Sequence, residues 1–149
     1  MKYINQLQYS KLYLGKSKYR FSGYGCLTSD IIMAHNYLFG ANKTPDLVVP
    51  KLSYDLDGYL QWPSISYLSL KKVVDIRKTA TPFEAIKKAY KNPNQMAILE
   101  VNNGAHFVLL WGSWWPGLGY RIIDPVGGKS TFTGSRGYRI TGLRVVEKL

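Results

Sequence analysis

Four short runs in the last third of the chain, set apart by glycine-bearing turns, constrain its fold most. They are MAILEV (96–101), HFVLLWG (106–112), YRIIDP (120–125) and GYRITGLRVV (137–146). β-branched and aromatic side chains fill them, so each reads as a strand. NNGA between the first two reads as a hairpin turn, and the set reads as an antiparallel sheet.

The chain ahead of these runs has a different character. Residues 1–25, with glycine at 15, 23 and 25, read as a loop-rich arm. From Cys26 the spacing of Leu27, Ile31, Ala34 and Leu38 is that of an amphipathic helix, with Gly40 placed to cap its C-terminus. Thr44-Pro45 opens a second helix that LVVPKL breaks early. In TPFEAIKKAY, Thr81 is placed to cap, Pro82 to take the first helical position and Glu84 to complete a capping box, while Asn92-Pro93 ends the helix. Helices followed by an antiparallel sheet make an α+β plan, with the helical part packed against one sheet face.

At 149 residues, 46% hydrophobic and 14% aromatic, the chain fits one domain, 1–149, with one core. No repeat or linker divides it. No stretch approaches the roughly 18–20 apolar residues of a membrane span, and MKYINQLQYS lacks the apolar centre of a signal peptide, so a soluble chain delivered by other means is expected. Twenty Lys and Arg against nine acidic residues give a net charge of +11. That charge favours polyanions, among them nucleic acid, anionic lipid and bacterial wall polymers. The cations are scattered, without an arginine run or zinc-finger spacing, so no specific nucleic-acid site is expected.

The only cysteine, Cys26, stands where the glycine-rich arm GYG meets the first helix. A single cysteine forms no internal disulfide. It reads either as a small buried apolar residue or as a nucleophile whose thiol is acidified by a helix N-terminus. A nucleophilic thiol needs a base, and the chain has two histidines. His35 is nine residues along the same helix, about 180° around and roughly 13 Å away, which excludes it. His106 opens a strand just past the NNGA turn. Asp124, ahead of Pro125, ends a strand expected to lie antiparallel to that of His106, so the two side chains should meet at one end of the sheet. An oxyanion would be held by the Cys26 N–H and by an amide from Gln6 or Gln8. Two histidines, one cysteine and no H-E-x-x-H motif leave no usual zinc site, and no cofactor is expected.

With INQ, GYGCLTSDIIMA, NNGAHFVLLWG and YRIIDPVGG in this order, the chain resembles the papain-like cysteine peptidase superfamily, and within it the bacteriocin leader-processing peptidase domains. TPDLVVPKLSYDLDGYLQW resembles the insert of related phage and wall-associated domains. The resemblance implies Cys26 as nucleophile, His106 as general base and acid, Asp124 as orienting carboxylate and Gln6 as oxyanion amide. Many relatives have glycine after the cysteine; here Leu27 follows.

The resemblance and the charge together favour a peptide substrate in the bacterial wall, cleaved after release of a phage or within a virion. Processing of a leader peptide or other protein is the alternative within enzymes. A transglutaminase-like or amidase use of the same residues is a further one. A catalytically silent virion-structural or polyanion-binding module is the alternative outside them. Trp111, Trp114 and Trp115 are candidates to line the substrate cleft.

Overall fold

The computed structural model describes all 149 residues. Four α-helices are present: α1 (Phe21–Tyr24), α2 (Cys26–Phe39), α3 (Pro45–Val48) and α4 (Phe83–Lys91). Six strands form one antiparallel sheet: β1 (Leu70–Ile76), β2 (Gln95–Val101), β3 (His106–Trp115), β4 (Gly119–Asp124), β5 (Lys129–Phe132) and β6 (Ile140–Lys148). Their spatial order is β1-β6-β2-β3-β4-β5. The α+β expectation holds, with one strand earlier in the chain than expected, since β1 precedes α4.

Alternation along the central strands explains the layering. Met96 and Ile98 of β2 and Leu109 of β3 share one buried cluster with Ile31, Ile32, Met33 and Ala34 of α2. Their neighbours Ala97, Leu99, Val108 and Leu110 join Ile86 and Ala89 of α4 in a second cluster. Strands buried on both faces read as nearly unbroken apolar runs, which is what MAILEV and FVLL are. Helices therefore cover both faces of the sheet, which corrects the expectation of one covered face: the fifteen-residue cluster under α2 and the twelve-residue cluster under α4 both need the sheet.

The expected amphipathic stripe on α2 is also corrected. Every residue from Thr28 to Asn36 is buried, so α2 is a central helix enclosed on all sides. Truncating Ile31 to Ala there would cost about 2–5 kcal/mol. Gly40 ends the helix at φ 60°, as expected of a left-handed cap. The capping box before α4 does not form. The helix starts at Phe83, and the Thr81 hydroxyl donates instead to the Ile140 carbonyl, tying the loop to β6.

His106 starts β3 and Asp124 ends β4, and these strands pair antiparallel with Leu109 opposite Ile123. The NNGA turn is a short 3-10 segment in which Asn102, Asn103 and Gly104 all have positive φ, the conformation that Asn and Gly tolerate best. The N-terminal arm is pinned at both ends of this region: the Gln6 N–H donates to the Pro125 carbonyl, and Phe21 packs with Leu14 and Val49.

Candidate active site

Asp124 is fully buried, and its carboxylate is held by three donors. His106 Nε2 lies 2.7 Å from Oδ1, the Tyr138 hydroxyl donates to Oδ2, and the Val126 N–H donates to Oδ1 at 2.9 Å. Arg136 adds a positive charge 3.8 Å from Oδ2. Burial alone would raise the Asp124 pKa, but the hydrogen bonds from His106 and Tyr138 outweigh it and hold the group below its usual value. An ionised carboxylate only accepts, so Nε2 of His106 carries the proton facing it and Nδ1 is the free nitrogen. Arg136 lies in the glycine-bearing turn before the run GYRITGLRVV and Tyr138 opens that run, and neither is anticipated from the sequence as a support of this carboxylate.

Cys26 begins α2, with Gly25 in the N-cap position. Gly25 is confined, since a Cβ there would sit 2.5 Å from the Phe21 carbonyl oxygen. Cys26 is half-buried as a residue and lines a cleft of about 490 Å³, walled by Tyr19, Tyr24, Tyr54, Tyr59 and Phe107. It is therefore no interior filler. The backbone N–H of Phe107, the residue after His106, lies close enough to the sulfur to favour its ionised form. The thiol makes no hydrogen bond to the His106 ring, which instead packs beside Tyr138 at a centroid distance of 5.5 Å. So the structure joins His106 to Asp124 directly, and joins Cys26 to the same strand through the neighbouring peptide.

The acidified thiol expected from the helix N-terminus is not what the site produces. Burial first, and then the charge that Asp30 gains only at alkaline pH, push the Cys26 thiol up to about 12, against the lowering by the backbone N–H groups of Phe107 and Leu27. Asp30 lies one helical turn after Cys26, is completely buried, and has no hydrogen-bond partner on either oxygen. Burial and the nearby charge of Asp124 raise its pKa well above the usual range. Of the two carboxyls, Asp124 has the donors and keeps the charge; Asp30 has none and keeps the proton. Within CLTSDII an aspartate reads as an ordinary polar residue, so only the enclosure of α2 reveals it.

Gln6 is buried, and its Nε2 donates to the Ser22 carbonyl at 3.1 Å, just ahead of the Gly23–Cys26 turn. One N–H of the amide is thereby fixed and the other is free. Gln8 is exposed. His35 is buried, not on the helix surface, with Nδ1 2.7 Å from the Leu68 carbonyl.

A solved structure described as "Crystal structure of a double glycine motif protease from AMS/PCAT transporter in complex with the leader peptide" aligns with this chain at a TM-score of 0.52 and 18% identity, over 83% of this chain and 84% of that one. No family model and no curated protein sequence matches the chain.

The fold is papain-like. In this frame the tryptophans take other places than expected. Trp111 packs edge-on against Tyr3 and Tyr37, and Trp114 against Phe83 and Tyr120; both line hollows beside α4, and neither lines the Cys26 cleft. The cleft is walled by tyrosines. Two of them, Tyr54 and Tyr59, come from the segment TPDLVVPKLSYDLDGYLQW, which folds over the start of α2; Tyr54 closes it with a 2.9 Å hydrogen bond to Thr28. No group of histidine, cysteine and acidic residues has the arrangement of a metal site. No helix is long and apolar enough to cross a membrane.

Proposed function

We propose that this chain is a cysteine peptidase in which Cys26 is the nucleophile, His106 the general base and acid, Asp124 the carboxylate that orients the imidazole, and Gln6 with the Cys26 N–H the donors to the oxyanion. The observation that carries this reading is the 2.7 Å contact of His106 with a buried, ionised Asp124 at the sheet end beside which Cys26 opens on a cleft.

The resting thiol is neutral, because a buried thiol pushed up to about 12 does not ionise alone at neutral pH. Substrate binding brings Nδ1 onto the sulfur, in keeping with hydrogen bonds that tighten only in the bound complex. The thiol proton passes to Nδ1 as the S–C bond to the amide carbonyl forms. Asp124 stabilises the resulting imidazolium without taking its proton. Collapse of the tetrahedral adduct breaks the C–N bond, and the same proton leaves on the amine. Water, deprotonated by His106, then hydrolyses the thioester and restores the thiol.

For the substrate, a peptide of the bacterial wall is the first reading, supported by the net charge of +11 and the resemblance to wall-associated domains. Leader-peptide processing is the second, supported by the leader peptide held by the double glycine motif protease of similar fold. The test is release of peptide fragments from purified walls and from a double-glycine leader peptide by the wild type and by Cys26→Ala. Cleavage of one substrate that disappears in Cys26→Ala is expected. Equal turnover by both proteins would remove Cys26 from the mechanism.

A further inference from the structure

The Cys26 cleft does not end at its tyrosine walls. Leu27, Tyr59, Leu60, Gly104 and Phe107 line it and also line a second compartment of about 560 Å³. That compartment adds Arg77, Lys78, Glu100, Asn103, Arg144 and Trp62. The sign of a ligand it takes follows from which of these groups are already engaged.

Glu100, the one carboxylate that lines it, is saturated, and so is Asp75, the exposed β1 partner of its two arginines. Glu100 is buried; Oε1 accepts from Arg144 Nη2 at 3.0 Å, and Oε2 accepts from the Thr141 hydroxyl at 2.7 Å and the Lys78 N–H at 3.2 Å. Asp75 is claimed by Lys72, by Arg77 through Nε and Nη2, and by Arg144 Nε at 3.1 Å. A cationic ligand would have to displace one of these donors.

The cations are in surplus. Arg77, Lys78 and Arg144 line the compartment against Glu100 alone, Asp57 is the one acidic residue of the adjoining Cys26 cleft, and the Lys78 ammonium has neither an ion-pair partner nor an acceptor. Lys78 also holds a left-handed backbone at φ 48°, which a non-glycine residue adopts only when its surroundings impose it. Glu100, by accepting the Lys78 N–H, is what fixes that turn at the rim.

We infer that this compartment is a subsite for a carboxylate of the substrate, an acidic side chain or free carboxyl a short distance from the scissile amide, received by Lys78 with Arg77 beside it. The inference rests on the peptidase reading above for its substrate being a peptide, and it narrows that substrate to an acidic one. The buried Glu100–Arg144 pair is its scaffold: Arg144 lies over the Phe107 ring at 5.2 Å and donates to the Ile76 carbonyl, so it links the compartment's floor to the strand that carries His106.

The test uses fluorogenic peptides in which one position at a time carries Glu or Gln. Cleavage is measured with the wild type, and binding by fluorescence polarisation with Cys26→Ala. At one position Glu is expected to be favoured about tenfold, the size of a charge-assisted hydrogen bond. The preference should shrink as salt is raised and fall to within about twofold in Lys78→Gln and in the Lys78→Gln/Arg77→Gln double variant. Lys78→Glu should turn it toward a Lys-bearing peptide. Both side chains are exposed, and circular dichroism checks that the variants fold.

Cleavage with no Glu preference at any position overturns the subsite and leaves the peptidase standing. A Glu preference that survives the double variant also overturns it. Glu-selective binding by Cys26→Ala without cleavage by the wild type keeps the subsite and removes the peptidase. Neither binding nor cleavage overturns both.

Discussion

Asp30 lies one turn beyond Cys26 on a helix buried on every side, with no hydrogen bond to either carboxyl oxygen. Its folded pKa is raised above the unfolded value of about 3.9, so the native state holds a proton that the unfolded chain has lost. Stability contributed by this group is therefore full at low pH and falls as pH rises from about 4 toward the folded pKa. Asp30→Asn keeps the shape and removes the proton. Relative to the wild type it should gain stability as pH rises from about 4 toward 8. Urea unfolding at several pH values measures this, and parallel curves for the two proteins would show that Asp30 is not a buried acid.

The thiol of Cys26 should betray its partner in its pH profile. Burial and Asp30 push it up to about 12, so in His106→Ala alkylation by iodoacetamide should climb only at strongly alkaline pH. In the wild type alkylation at neutral pH is expected to be faster than in His106→Ala, because the imidazole can take the thiol proton as the S–C bond to the reagent forms. A wild-type profile that superimposes on that of His106→Ala would remove His106 as the base.

Asp124 and Tyr138 act on the imidazole in sequence. Asp124→Asn replaces the carboxylate with a neutral amide whose N–H can face the ring and favour the wrong tautomer, and should lower kcat about 10²–10⁴-fold while leaving the fold intact. Tyr138→Phe deletes one donor to Oδ2, and Asp124, no longer held as low, should move the acid limb of the activity profile to higher pH. The same depression implies that Asp124 contributes stability above its unfolded pKa that is lost as pH falls toward the folded one. An acid limb unmoved in Tyr138→Phe would separate the hydroxyl from the function of the carboxylate.

The strands around the site were legible because two-sided burial imposes unbroken apolar runs, and because a histidine opening one strand and an aspartate closing its antiparallel neighbour must meet. β1 was missed because its exposed face carries Lys71 and Val73 while only Leu70 is fully buried, a pattern that reads as scattered charge in SLKKVV. The tyrosine walls and the tryptophan positions were not legible for another reason. They depend on how the segment 45–62 folds across the start of α2 and on the irregular register between Leu110 and Trp114, neither of which has a local periodicity. Asp30 was hidden by the same limit, since spacing shows which residues share a helix face but not that every face is covered.

The buried Glu100–Arg144 pair was equally invisible, as each residue sits alone among apolar neighbours in its strand. Opposite charges placed at Glu100 of β2 and Arg144 of β6 face one another across a register that pairs Ile98 with Arg144 and Glu100 with Gly142. Gly142 is required there: a Cβ would come within 2.8 Å of the Glu100 carboxyl carbon and 2.4 Å of the Ile76 carbonyl oxygen. Removing one partner, as in Glu100→Ala, leaves the buried Arg144 guanidinium with Asp75 as its one carboxylate and should cost up to about 3–5 kcal/mol. Replacing both by apolar residues, Glu100→Met with Arg144→Met, should restore much of that loss, because two costly desolvations disappear together. Chemical denaturation of the three variants measures the difference. A double variant no more stable than Glu100→Ala would mean that the pair contributes more to the native state than charge compensation.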